Sequence, residues 1–312
     1  MTAAQTLIRV AKDPRVRAVV QTPGYGERIN RRHIAGEHLR DALEEAGELL
    51  VRGRLVSLAQ LRPDPLDLTE AKDRRKRLRK LVRRLEQAGY SAGARAEVSV
   101  RLGQLGAHLR GHGLAGARRM AAEVVAAATA AGTRVTVEAE PDLDQGHLID
   151  AVLSLREQTD ADVAIALPAA RLRTQDDCRQ LAAQGVRVRL ESGRLGLPGG
   201  CARRREVDRS YVRCLQVLLA AAPHPVPTIA TGDPRLCDIA EHVADRRGLG
   251  PGDVEYGLAY GQRIRRQTAV ADRGGLARIY LPFGPDWYPY LVERMAQMPS
   301  EMPNLLRART SP

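Results

Sequence analysis

From Arg54 to Met298, short apolar runs rich in β-branched residues alternate with longer stretches in which apolar side chains recur at helical spacing. The runs predict strands at Arg54–Leu58, Arg95–Leu102, Val135–Ala139, Val163–Leu167, Val186–Leu190, Val226–Ala230, Val254–Tyr256 and Ile279–Leu281. The stretches between and after them predict helices at Thr69–Ala88, Gly116–Ala131, Gln145–Gln158, Gln175–Gln184, Val207–Ala222, Arg235–Arg247, Gln262–Arg273 and Tyr288–Met298. Strict alternation argues for a parallel sheet, because parallel strands need crossover helices. Eight units over about 250 residues is the size of a (β/α)8 barrel of the TIM type. An open doubly wound sheet is the alternative. Ahead of the first strand, Ala3 to Ala18 is loosely helical, Gln21-Thr22-Pro23-Gly24-Tyr25-Gly26 breaks it, and His38 to Leu50 is a strong helix.

Composition narrows the class. The 312 residues are 44% hydrophobic, ordinary for a globular chain. No apolar run is long enough to span a bilayer, and the charged N-terminus lacks a signal-peptide core, so a cytoplasmic location is expected. Cys178, Cys201, Cys214 and Cys237 are widely spaced and read as reduced structural thiols. His108 and His112 stand four apart in a glycine-rich stretch and read as loop or helix-end residues, so no metal is expected. The net charge of +12 is almost all arginine. The basic run Lys72 to Arg84 carries Leu78, Leu81 and Val82 at helical spacing, which makes it the solvated face of a barrel helix. Without stacking aromatics or a recognition module, specific nucleic-acid binding is not expected.

The aromatic residues change the picture. The chain has one Trp, one Phe and eight Tyr, and half of these ten lie between Arg278 and Pro299: Tyr280, Phe283, Trp287, Tyr288 and Tyr290. The order there is a short strand, a Pro282-Phe283-Gly284-Pro285 turn, Asp286 as a cap, and a helix that Pro299 stops. A Tyr before Pro-x-Gly, then Trp-Tyr-x-Tyr and a charged pair, resembles the C-terminal signature of the proline dehydrogenase family. The charged pair there is Arg-Arg and here is Glu293-Arg294.

The resemblance extends over nearly the whole chain and implies a distorted (β/α)8 barrel over residues 51–300, an N-terminal helical arm over 1–50 and a tail over 301–312. It also implies an oxidoreductase that binds FAD, oxidises L-proline to 1-pyrroline-5-carboxylate, and passes electrons to a quinone at a membrane surface, with peripheral membrane association. Strand two, EVSVRL, has Arg101 where the family has a functional Lys. Strand three has Glu138 in place of an Asp, two residues before Glu140. These two with Tyr280 are the implied catalytic set, and Tyr280, Glu293 and Arg294 the implied substrate contacts. The implied cofactor contacts are Arg189, Thr231, Gly232, Asp233 and Glu255. Several matching positions depart from the family pattern. Pro168 stands for a flavin-contacting Gln, Ala170 for a Tyr, Ser192 for a Lys and Gly232 for a His, while scaffold positions such as Tyr211, Trp287 and Tyr290 match. This contrast favours a divergent barrel with impaired or lost flavin and proline chemistry. An active proline dehydrogenase, and a flavin enzyme or ligand binder for a different small molecule, are the alternatives.

Overall fold

The computed structural model describes residues 33–197 and 199–297; the side chains of Glu293 and of residues 295–297 are outside the described set. The expected helix at Ala3–Ala18, the stop at Pro299 and the tail 301–312 fall outside the described residues. A helix, α1 (Leu39–Val51), leads into eight strand–helix units. The strands are β1 (Leu55–Gln60), β2 (Ala96–Val100), β3 (Arg134–Val137), β4 (Val163–Pro168), β5 (Val188–Glu191), β6 (Thr228–Ala230), β7 (Glu255–Ala259) and β8 (Leu276–Phe283). The helices that follow them are α2 (Leu68–Gln87), α3 (Gly113–Ala130), α4 (Gln145–Thr159), α5 (Thr174–Ala183), α6 (Arg204–Ala221), α7 (Pro234–Arg246), α8 (Ile264–Asp272) and α9 (Trp287–Gln297). All eight strands are parallel and close into a barrel, β8 pairing with β1 with Tyr280 opposite Ser57. The fold is the (β/α)8 barrel that the alternation predicts.

Most strand bounds shift by a few residues from the sequence reading, and two of the shifts involve proline. β6 is only three residues long, because Pro225 and Pro227 precede it and proline has no N–H to give a ladder. β8 runs through Pro282 to Phe283 instead of ending at Leu281. Its pairing with β7 stops at Tyr280, so the missing donor at Pro282 leaves no neighbour on that side unpaired, while β1 continues beside it to Gln60 opposite Phe283.

The apolar core lies between strands and helices, where Val56, Leu58, Val98, Val100, Ile165 and Ile279 are fully covered. On α2, Asp67 caps the first turn by accepting from the Glu70 N–H at 2.8 Å. Its Leu78, Leu81, Val82 and Leu85 face the barrel, while basic residues of the run face outward and Arg75 pairs with Glu123 of α3. Among the described residues, no helix is long and apolar enough to cross a membrane.

The inside of the barrel is different in kind. TIM barrels commonly fill this space with branched aliphatic side chains. Here β1 contributes Ser57, β2 Glu97 and Ser99, β6 Thr228, β7 Glu255 and β8 Arg278, all buried. Arg278 donates to both oxygens of Glu255, and Glu97 accepts from Ser57 Oγ at 2.7 Å. Arg187 Nη1 lies 3.7 Å from Glu97 Oε2. The charges are mutually paired, the condition under which buried ions are tolerated.

The two ends of the described chain are fastened to each other. Ala35 N–H donates to Pro282 O at 2.8 Å, Gly284 N–H to Gly36 O at 3.1 Å, and Trp287 Nε1 to Glu37 Oε1 at 3.0 Å. Ile34, Trp287, Tyr288, Leu291 and Val292 form a separate apolar cluster there.

Candidate active site

A cavity of about 860 Å3 opens at the carboxyl ends of the strands, the place where barrel enzymes put their chemistry. The aromatic stretch divides at this point. Tyr280 and Tyr290 line the cavity, whereas Trp287 and Tyr288 are packing residues of the end-to-end seam. The rings of Tyr280 and Tyr290 stack at 6.3 Å between centroids and 29° between planes.

Arg189 of β5 forms the floor and is 4% exposed. Its guanidinium carbon lies 5.4 Å from the Tyr280 ring centre. Nε donates to Glu191 Oε1 at 3.0 Å and Nη1 to Ser99 Oγ at 3.3 Å. Nη2 lies 2.5 Å from Glu138 Oε1, a charge contact without the alignment of a hydrogen bond. Glu97 stands 3.7 Å below Nη1. One guanidinium therefore serves three carboxylates. Burial and the charge of Glu138 push the Tyr280 hydroxyl well above its usual range, so it stays protonated. Burial also raises the Glu191 carboxyl; Arg189 opposes this and Glu138 adds to it.

A second ion cluster lies at the ends of β2 and β3. Arg101 Nη2 is 3.2 Å from both Asp64 Oδ1 and Glu140 Oε2, and Glu140 accepts from Gly103 N–H at 3.0 and 3.2 Å. Burial raises the Glu140 carboxyl even against Arg101. Asp64, His108 and Glu140 each bring one ligand atom within 4.8 Å of the others. Arg101 already bridges the two carboxylates, which opposes a dication at the same point. His112 instead ties a loop down, its Nε2 lying 3.0 Å from Leu105 O.

The wall between β4 and β5 is closed by the glycine-rich segment after β5. It is fastened. Leu172 N–H donates to Gly199 O at 3.1 Å, Cys201 N–H to Ala170 O at 2.7 Å, and Ala170 N–H to Ser192 O at 3.0 Å. Ala170, Leu197, Cys201 and Val207 pack together beneath it. The fit is tight, since a Cβ on Gly193 would sit 2.6 Å from Pro168 Cβ. At the opposite rim Asp233 caps α7, its carboxylate held low by Arg235, and Thr231 Oγ1 accepts from Asp233 N–H at 3.1 Å. Gly232 offers no side chain, and its carbonyl accepts from Arg263 Nε at 3.2 Å. Arg294 Nη2 donates to Gln262 Oε1 at 2.8 Å.

Of the sequence-derived site residues, Arg101, Glu138, Arg189, Thr231, Gly232, Asp233, Tyr280 and Arg294 converge on this one cavity. Glu255 does not line it; its carboxylate lies inside the barrel, spent on Arg278 and on Thr228 Oγ1 at 2.7 Å. Glu293 lies on α9, and its side chain is outside the described set. Two carboxylates escaped the sequence reading, Glu191 in the cavity wall and Asp64 beside it on Arg101. Glu191 is two residues after Arg189, and the period of two along a strand places both on one face. Asp64 lies in a loop with no periodicity to mark it.

No family model matches the chain. It is 26% identical to the proline dehydrogenase of Deinococcus radiodurans over 305 residues, 95% of this chain and 94% of that one. It is 27% identical to proline dehydrogenase 2 of Bacillus subtilis over 174 residues, so the match spans about half of each, 54% and 55%. Among solved structures, proline utilization A from Bdellovibrio bacteriovorus, inactivated by N-propargylglycine, superposes with a TM-score of 0.81 at 17% identity, covering 94% of this chain and 36% of that one. That likeness is one of fold. The similarity to the Deinococcus protein thus runs over nearly the full length of both chains and accompanies this closed barrel.

Proposed function

We propose that this barrel is a divergent family member that keeps a ligand cavity but has impaired or lost FAD and proline chemistry. The clamp on Arg189 carries the reading. The resemblance assigns Arg189 to the flavin, yet here the guanidinium is taken by Glu138, Glu191 and Ser99 and covered by Tyr280.

The surrounding residues fit a flavin poorly. A bound flavin would supply the hydride chemistry, and the protein must supply donors, charge and orientation. Pro168 has no side-chain hydrogen-bonding group, Gly232 has no side chain, and Arg101 is committed to Asp64 and Glu140. A hydrogen bond to a charged group is worth about 1.5–3 kcal/mol, so the absence of several such bonds weakens cofactor binding by orders of magnitude.

The test is the visible absorption of the purified protein, with and without added FAD, after gel filtration. A colourless protein that retains no FAD is expected. A flavin band that co-elutes and is bleached by L-proline overturns the reading. One observation favours a second reading, an active FAD-dependent proline dehydrogenase: Arg189, Tyr280 and Arg294 still converge on one cavity. Proline-dependent reduction of an artificial electron acceptor would establish it.

A further inference from the structure

Other arginines line the cavity walls, but immediately around Arg189 the paired carboxylates are arranged against an anion. Any carboxylate or phosphate approaching Arg189 must displace Glu138 from 2.5 Å or Glu191 from 3.0 Å. A cation meets the opposite situation. Glu191 uses Oε1 on Arg189, and among the described residues its Oε2 has no hydrogen-bond partner, with 37% of the side chain open to the cavity. Glu138 Oε1 and Arg189 Nη2 are spent on each other at 2.5 Å, which leaves Glu191 Oε2 as the acceptor beside the opening. The stacked Tyr280 and Tyr290 rings line the same cavity, and aromatic faces beside carboxylates are the chemistry that recognises organic cations.

We propose that the Glu138–Arg189–Glu191 floor, with Tyr280 and Tyr290, binds the protonated nitrogen of a small organic cation, an ammonium or guanidinium group. Glu191 accepts the N–H through Oε2, and the tyrosine pair covers the carbon skeleton. The inference rests on the flavin-free reading of the same cavity and names the ligand class. Burial raises the Glu191 carboxyl, and a neighbouring ligand cation would favour its ionised form.

The experiment is isothermal titration calorimetry with putrescine and L-arginine, and with succinate as the anionic control, on wild type, Glu191→Gln and Glu191→Asp. Thermal melts confirm that each variant is folded. A cation is expected to bind wild type and succinate not to bind. Glu191→Gln should weaken the cation at least about tenfold, and Glu191→Asp should recover part of the affinity. The inference is overturned if neither cation binds at millimolar concentration, if succinate binds as tightly, or if Glu191→Gln binds the cation as wild type does. FAD retention read on the same preparations separates the two failures: a retained flavin defeats the flavin-free reading, whereas a colourless protein indifferent to both cations defeats only the cation site.

Discussion

Arg278 and Glu255 form a bidentate pair inside the barrel, Nε to Oε1 at 2.7 Å and Nη2 to Oε2 at 2.8 Å, with each side chain 2% exposed. Removing one partner leaves the other charge buried and unmatched. Glu255→Gln is expected to destabilise the protein by about 3–5 kcal/mol in urea titrations. The double change Glu255→Leu with Arg278→Met should cost less than either single change, because it removes both charges together. A double variant as unstable as the sum of the singles would mean that the pair contributes little as a pair.

The same network sets an acid limit. Burial alone would raise the Glu97 carboxyl, but Arg278, Arg187 and Arg189 reverse this and bring it from 4.5 to about 2. A folded-state pKa below the unfolded one contributes stability that is complete above the unfolded value and is lost as pH falls through the folded one. Melting temperature should therefore drop as pH falls from about 4.5 toward 2. Glu97→Gln should have a lower melting temperature at neutral pH and a flatter profile in that window.

The turn after β8 depends on one glycine. Gly284 has a φ of +134°, and a Cβ there would lie 2.4 Å from Leu61 O. Gly284→Ala is expected to lower stability by at least about 1–3 kcal/mol from the backbone conformation alone. Because Leu61 N–H donates to Phe283 O at 2.7 Å, the effect should include earlier exchange of the Leu61 amide in hydrogen-exchange measurements.

Trp287 is the only tryptophan and reports on the seam that joins the ends of the described chain. At 3% exposure it should emit in the blue and resist acrylamide until the seam opens. Glu37→Ala leaves the buried indole N–H without its partner and should cost about 1–3 kcal/mol. Red-shifted emission at low urea in this variant, before the far-ultraviolet signal is lost, would show that the seam releases ahead of the barrel.

Much of the architecture was legible in the sequence. Alternating periods of two and of three to four residues identify each strand and helix, and the count of eight units implies closure. The errors fall where local chemistry is overridden by a neighbour. Pro282 ends a strand by its own preference, yet β1 holds that segment extended to Phe283. The glycine-rich segment after β5 is held by backbone hydrogen bonds at Ala170 and Leu172, which its local composition does not reveal.

Fold class and the face on which each strand residue lies were readable from the order of residues, because they follow from local periodicity. The pairing of charges was not, and it emerged with the folded barrel. The face of β5 puts Arg189 and Glu191 inward, but barrel closure and strand register bring Glu138 from β3's end and Tyr280 from β8 against that guanidinium. Register likewise sends Glu255 to Arg278 beneath the cavity and not to its rim. Partners this far apart along the chain are chosen by geometry in space, and electrostatic energy depends on that distance rather than on sequence separation.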